Sequence, residues 1–432
     1  MKHILEAVRL SEDIENLRFL ATIAPFDPAT DDADVLKHRK SFAAALRSRS
    51  RGPESNAPSP SRRSILRIGY ISSFFHADNW MKPVWGLINH HDRRRFEVHI
   101  FSDSPRPSVV RPRVSRHRFH DISRLDNARA AGRIARTRMD VLVDLNGFSR
   151  RDRLPLFLVK PAPVVVAWFN ILGTTGMSCF DSLIGDEWVF RDGDERGYIE
   201  KVIRLPMSCL TFEVTYPVPT VRPPPCERNG FVTFGSLASL YKLNDRVVGA
   251  WAEILRRCPR SRLALGNALL GYAGNREHTL ARFRRLGVPP DRIAISGGAP
   301  HGEFLRRYDS IDLVLDTFPY NGGTTTSEAI WQGVPVLTFV GDRWISRTSA
   351  SILCNAGLDE FVCKDAESYV ASAARWGSSR SSPSRLAELR STMRRRLRSS
   401  SILDCKRFAR LMEKTYERLS ESAIQKRSEP RG

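Results

Sequence analysis

Short apolar blocks recur along this chain at the spacing of βα units, and the series runs twice. In the first half the blocks are LRIGYIS (66–72), FEVHIFS (96–102), DVLVDLN (140–146), PVVVAWF (163–169) and KVIRLP (201–206). In the second half they are FVTFGS (231–236), RLALGN (262–267), RIAISG (292–297), DLVLDT (312–317) and VPVLTF (334–339). Helix-capable stretches such as 245–258 and 277–287 lie between them. Strands that alternate with helices build a parallel sheet covered on both faces, because each parallel pairing needs a crossover. Two such series predict an α/β protein of two Rossmann-like domains facing a cleft. In open sheets of this kind, ligands bind beyond the carboxyl ends of the strands.

The interruptions set the expected domains. Residues 1–48 read as a helical segment, with Ile4, Val8, Leu17 and Leu20 marking apolar faces and a second helix at 33–47. Residues 49–64, rich in Ser, Pro and Arg, read as a linker. The first Rossmann-like domain is expected at 65–226 and the second at 227–400, divided within the proline-rich stretch 215–230. Residues 401–432 are expected to form a C-terminal helix and a frayed, charged tail.

Composition removes several function classes. No apolar run is long enough to span a bilayer, and the N-terminus lacks the apolar core and cleavage site of a signal peptide. The cytoplasm is the expected compartment. The seven cysteines include no CxxC pair, so neither a zinc site nor a redox motif is expected. The formal charge of +21 invites a nucleic-acid reading. The arginines are, however, spread along the whole chain and are not alternated with stacking aromatics. An enzyme with an anionic substrate accounts better for that field.

The segment DLVLDTFPYNGGTTTSEAIWQGVPVLTF (312–339) carries the most chemistry. A buried strand ends at Asp316, and the loop through Asn321, Gly322 and Gly323 turns into a helix near Thr324. Glycines let the backbone approach a ligand. Amides at Thr324, Thr325 and Thr326 fall in the first helical turn, where they lack intrahelical partners. A diphosphate suits such a site, aided by the helix dipole. Glu328 is placed to accept hydrogen bonds from ribose hydroxyls. The same residues also fit a capping box, Thr325 with Glu328, and the segment alone leaves both readings open.

Three further loops follow strands. Lys242, in FGSLASLYKLND (234–245), is placed to neutralise a leaving phosphate, or else is a solvated surface lysine. His301 and Phe304, in SGGAPHGEFLRR (296–307), either face a nucleotide, with Phe304 stacking on its base, or are a loop histidine and a core phenylalanine. In the first half, ISSFFHADNWMKPV (71–84) offers His76 and Asp78 to take a hydroxyl proton, unless Asp78 caps the next helix. NGFSRRDRLPLF (146–157) follows the third strand block.

Together these stretches resemble the catalytic region of the O-linked N-acetylglucosamine transferase and SPINDLY family, over roughly residues 33–420. LRIGYISSFF, HHDRRRFEVHIFSDSP, the LGTTG turn, the LYKLND block and DTFPYNGGTTTSEAIWQGVPVLTF carry the likeness. The resemblance implies an inverting, metal-independent glycosyltransferase of the B-type fold with no cofactor beyond a nucleotide-sugar co-substrate. By the same likeness Lys242 contacts the donor phosphates, while Gly323, Thr324 and Thr325 cradle the diphosphate. Glu328 stands at an acidic ribose ligand, and His301 and Phe304 at residues flanking the base. Gly173 and Thr174 would line the sugar pocket, and His38 matches a histidine of the helical lead-in.

This chain departs from the family pattern at four places. Phe74 stands where the family has an aspartate and Asp78 where it has a histidine, with His76 two residues earlier. NILGT (170–174) replaces a GYPGT-like turn, Gly323 replaces a histidine, and no tetratricopeptide array is present. The expected reaction is transfer of N-acetylglucosamine from UDP-N-acetylglucosamine to a protein Ser or Thr, with a glycan acceptor also open. GDP-fucose is the second donor. A catalytically degenerate nucleotide-binding regulator is the competing class.

Overall fold

The computed structural model describes residues 2–11, 13–50, 58–60, 62–104 and 118–428. The chain forms two compact units, Met1–Val214 with Asp404–Gly432, and Thr215–Leu403. In the first unit the strands are β1 (Leu66–Ser72), β2 (Phe96–Ser102), β3 (Phe119–Asp121), β4 (Val141–Asp144), β5 (Val164–Ala167), β6 (Ser182–Asp186) and β7 (Lys201–Leu205). They lie in the order β3-β2-β1-β4-β5-β6-β7, and the pairs are parallel. Ile68 pairs with Val98 on one side and Val141 on the other, and all three are fully buried. Continuous apolar runs of this kind are what a sheet covered on both faces requires.

The second unit repeats the plan. Its strands are β8 (Thr233–Ser236), β9 (Arg262–Gly266), β10 (Ile293–Ser296), β11 (Leu313–Leu315), β12 (Val336–Phe339) and β13 (Val362–Cys363). Their order is β10-β9-β8-β11-β12-β13, again parallel. In each sheet the direction of strand succession reverses between the first strand and the fourth. The crevice at such a reversal is where loops diverge and ligands bind. It lies between β1 and β4 in one unit and between β8 and β11 in the other.

All ten strand blocks expected from the sequence are strands. The three additional ones are β3 and β13, of three and two residues, and β6, which reads SLIGD. None is long or apolar enough to stand out by periodicity. The helical N-terminus comprises Lys2–Leu10, Ile14–Ile23 and Asp32–Arg49. Half of the expected linker at 49–64 lies outside the described residues, which omit 51–57 and 61.

Two boundaries differ from expectation. The proline-rich stretch belongs to the second unit, which starts at Thr215 rather than 227. Arg394 Nη2 holds it by the Pro219 carbonyl at 2.8 Å, and Arg390 Nη1 by the Arg222 carbonyl at 3.4 Å. The C-terminal helix Cys405–Ser428 is no separate appendage but part of the first unit. The tail expected to fray after residue 419 is helical through Ser428, and 429–432 lie outside the described residues. The Tyr416 hydroxyl lies 3.2 Å from that of Tyr70 on β1. Glu413, 1% exposed, lies 3.0 Å from His91 Nδ1, accepts the Asp92 amide at 2.8 Å and pairs with Arg410 at 2.5 Å. Burial holds the His91 pKa below its ordinary value, against the pull of Glu413.

Removing one member of such a buried cluster strands the others without partners. Glu413→Ala should therefore destabilise the first unit by about 3 kcal/mol, read as a lower urea midpoint at unchanged slope. Glu413→Gln, which keeps a hydrogen-bonding oxygen, should lose less.

Candidate functional site

The β8/β11 reversal brings together two loops that are about 80 positions apart in the chain. Lys242 closes a short 3-10 turn after β8. Its Nζ donates to the Asn321 carbonyl at 2.7 Å and lies 3.5 Å from the centroid of the Tyr320 ring. The side chain is half-buried but its ammonium is enclosed, which excludes the solvated surface lysine. Desolvation lowers its pKa to about 8, opposed by the Asp316 carboxylate acting through space.

Asp316 organises the second loop. Its Oδ1 accepts the amides of Thr317 at 2.9 Å and Gly322 at 2.8 Å, and its Oδ2 accepts the Thr338 hydroxyl at 2.8 Å. The group is 6% exposed, and burial raises its pKa despite these donors. Asn321 is 2% exposed and spans the turn. Its amide donates to the Ile345 carbonyl at 3.1 Å, and its Nδ2 to the Thr317 carbonyl at 2.8 Å. A side chain at Gly322 would run into the hydroxyls of Thr325 and Thr326, so the loop can close onto the helix only with glycine there.

The helix Thr324–Trp331 starts from Gly323, with no side chain capping it. The capping-box reading of Thr325 and Glu328 is thereby excluded. Thr324 and Thr325 are half-buried in the first turn, where backbone amides have no intrahelical acceptor. Thr326 is turned inward, with its Oγ1 at 2.8 Å from Ser349 Oγ, which in turn donates to the Gly322 carbonyl at 3.0 Å. The Lys242 contact at Asn321 thus sits three residues before the first-turn amides. An ammonium and a helix N-terminus so placed suit a diphosphate.

Glu328 lies one turn further on, 3% exposed, with its Oε1 3.7 Å from His301 Nε2. The His301 ring meets Tyr216 edge-on at 5.2 Å and stacks on Phe304 at 6.2 Å. Phe304 also meets Tyr308 edge-on at 6.1 Å. Phe304 is therefore built into an aromatic cluster, while the half-exposed His301 links that cluster to Glu328.

Arg307 escaped sequence reasoning. A Cβ placed on Gly266, the last residue of β9, would lie 3.2 Å from its Nη1 and 2.7 Å from Ser296 Oγ at the end of β10. Its guanidinium thus reaches the carboxyl edge of the sheet, and its buried Nη1 has no hydrogen-bond partner among the described residues. A forked donor at this edge suits base carbonyls or anionic oxygens. Nothing in an Arg306–Arg307 pair says which one turns inward.

In the first unit, His76 and Asp78 are both exposed in the loop after β1. Asp78 does not cap the next helix, whose N-cap is Met81 without a side-chain bond. Phe74 meets Trp80 edge-on at 4.3 Å, and Trp80 lies 5.9 Å from Phe169. The family's aspartate position has therefore become part of an aromatic cluster. After β4, Asp144 accepts the amides of Asn146 and Gly147, each at 3.0 Å, and burial raises its pKa to about 6. Asn146 Oδ1 accepts the Ser73 amide at 2.9 Å, joining the two loops of this reversal.

Gly173 (φ +121°) follows Leu172 (φ +51°) in the 170–174 turn. Thr174 is 1% exposed, and its hydroxyl donates to Glu200 Oε2 at 2.7 Å. Its side chain therefore shapes the turn from within. His38 is half-buried on the Asp32–Arg49 helix, and burial lowers its pKa.

Two parallel sheets with this strand order, each with loops diverging at its reversal, define a glycosyltransferase of the B-type fold. A sucrose-phosphate synthase from Thermosynechococcus elongatus shares that fold, with a TM-score of 0.51 at 13% identity over 83% of this chain. The family model "Glycosyl transferase family 41" matches residues 53–213 and 226–412, and the chain belongs to that family. A Thermobaculum terrenum O-GlcNAc transferase variant superposes with a TM-score of 0.89 at 30% identity, covering 98% of this chain and 81% of that one.

A Petunia hybrida protein named "Probable UDP-N-acetylglucosamine--peptide N-acetylglucosaminyltransferase SPINDLY" is 29% identical over 84% of this chain, which spans 39% of its length. A Caenorhabditis elegans UDP-N-acetylglucosamine--peptide N-acetylglucosaminyltransferase is 24% identical over 81% of this chain and is covered to 40%. The chain thus spans about two fifths of the length of these curated relatives. Among the described residues, no helix is long and apolar enough to cross a membrane.

The lysine pKa generates a pH test. A nucleoside diphosphate prefers the ammonium form, which is lost as pH rises through about 8. Calorimetry should show UDP affinity falling by up to about tenfold per unit above that point, with proton uptake on binding. Lys242→Arg, which stays charged, should flatten the profile.

Proposed function

We propose that this glycosyltransferase moves N-acetylglucosamine from UDP-N-acetylglucosamine to a Ser or Thr hydroxyl of a protein, with inversion and without a metal ion. The donor and acceptor classes are those in the names of the Thermobaculum and Petunia relatives. The observation that carries the reading is the enclosed Lys242 ammonium, on the loop after β8, bonded to the Asn321 carbonyl of the loop that leads into uncapped first-turn amides.

In the reaction the acceptor oxygen bonds to the anomeric carbon as the bond from that carbon to the diphosphate breaks. Negative charge grows on the departing phosphate. Lys242 and the amides of Thr324 and Thr325 meet it with fixed positive charge, so no metal is called on for that role. Asn321 holds the loop that aims them. Glu328 and His301 take the ribose, and Arg307 the base. The hydroxyl proton leaves to Asp78 or His76, directly or through water. Inversion follows from a single displacement.

One observation favours a second reading, a nucleotide-binding regulator without transferase activity. The family's aspartate position is Phe74, packed on Trp80, and both titratable groups of that loop are exposed.

Thermal shift and calorimetry with UDP, GDP and their sugar conjugates should show UDP and UDP-N-acetylglucosamine as the best ligands, since a ligand that binds the folded state stabilises it. Preference for the GDP series would redirect the reading to fucose. Lys242→Ala should fold normally and lose on the order of a hundredfold or more in transfer rate. Wild-type turnover in that variant would defeat the proposed chemistry, whereas binding without transfer or donor hydrolysis in the parent protein would support the regulator.

A further inference from the structure

Arg39, in the middle of the Asp32–Arg49 helix, is 1% exposed. A guanidinium keeps its charge in a protein, so burying one requires oxygens to receive its fork of donors. Those oxygens are main-chain carbonyls. Nε donates to Ala21 at 3.2 Å, and Nη1 donates to Ile171 at 3.2 Å and also to Thr174. The guanidinium also lies over the Phe148 ring, 4.0 Å from its centroid, in the loop after β4. One side chain of the N-terminal segment therefore touches both the 170–174 turn and the loop at the strand-order reversal.

The turn it holds does not hold itself. Phe169 (φ +76°), Leu172 (φ +51°), Gly173 (φ +121°) and Gly176 (φ +69°) all lie in the left-handed region, two of them with side chains that disfavour it. Such a backbone persists only where its surroundings over-determine it. Arg39 supplies part of that constraint through the carbonyls. Glu200, 6% exposed, supplies the rest through the donors. Its Oε1 accepts the Thr175 amide at 2.6 Å and the Thr175 hydroxyl, and its Oε2 accepts the Thr174 hydroxyl at 2.7 Å. Helix and turn are also in direct contact, since a Cβ on Gly176 would lie 2.6 Å from the Arg39 carbonyl carbon.

We propose that Arg39 is a positioning residue: with Glu200 it sets the backbone of the 169–176 turn, which makes the N-terminal helical segment a working part of the sugar-binding machinery. The inference rests on the proposed function, in which that turn serves the sugar. It adds that the turn's shape is imposed from outside the Rossmann-like sheet. Phe148, beneath the same guanidinium, couples the loop after β4 to the same support.

The test compares the parent protein with Arg39→Lys, Arg39→Met and Glu200→Gln. UDP binding, nucleotide-sugar turnover and amide hydrogen exchange are measured for each. The proposed diphosphate seat is built from residues of the second unit, whereas Arg39 and Glu200 belong to the first, so UDP affinity should stay within about twofold of the parent. Turnover as kcat/KM should fall by about tenfold or more in Arg39→Met and Glu200→Gln, because a displaced positioning loop costs rate rather than phosphate affinity. Arg39→Lys, which can reach one carbonyl but not three, should recover part of the loss. Amides of 171–176 should exchange at least about tenfold faster in Arg39→Met as the turn opens locally.

Parent-like turnover together with parent-like exchange at the turn would overturn the proposal. So would an equal fall in UDP affinity and turnover, which marks general damage. If Arg39→Met does not fold, Glu200→Gln is judged by the same outcomes. A parent protein that binds no nucleoside diphosphate would sink the functional reading instead, and exchange at the turn alone would then decide the clamp.

Discussion

The hydrogen bond from Lys242 Nζ to the Asn321 carbonyl ties together the two loops that flank the reversal of strand order in the second unit. In water an ammonium is fully hydrated. Here it has a carbonyl and the face of Tyr320, and Asp316 acts on it only through space. Lost hydration that is only partly replaced disfavours the charged form, which lowers the lysine pKa to about 8. In the reaction proposed above, this cation meets the charge that develops as the diphosphate departs.

Asp316 explains why the 316–323 loop keeps its shape. A buried carboxylate is costly unless donors surround it. This one takes the amides of Thr317 and Gly322 and the hydroxyl of Thr338, which fixes the loop between β11 and the helix before any ligand arrives. The first unit solves the matching problem with Asp144, which accepts the amides of Asn146 and Gly147 at the end of β4. Each unit thus spends one buried carboxylate to shape the loop after the strand on the far side of its reversal. The resulting loops differ in kind. One ends in uncapped amides, the other beside the Phe74–Trp80–Phe169 cluster.

Much of this was legible in the sequence, for physical reasons. Ten of the strands announce themselves because a strand buried on both faces must be apolar throughout, as VVVA at β5 is. The loop from Asn321 to Thr326 was legible as a candidate anion site, because glycines and first-turn amides suit a close anionic ligand. The Thr325–Glu328 pair was ambiguous, since the spacing of a capping box and of a ligand site coincide, and the structure excludes the former. Arg307 and Arg39 were not legible. Each is one arginine among many, and only its neighbours in space turn it inward.

The chain's own pattern determined the two parallel sheets, the order of elements and the residue types offered at each carboxyl edge. These follow from local periodicity and from the steric demands of glycine and of helix ends, which act over a few residues. Tertiary structure alone decided which of those residues meet. It brought Lys242 to Asn321, packed the C-terminal helix onto β1 through Tyr416 and Glu413, and placed the Arg39 guanidinium on the carbonyls of a turn more than 130 residues away. The reason is that desolvation, ion pairing and backbone clamping depend on distance in space, which a linear pattern does not encode.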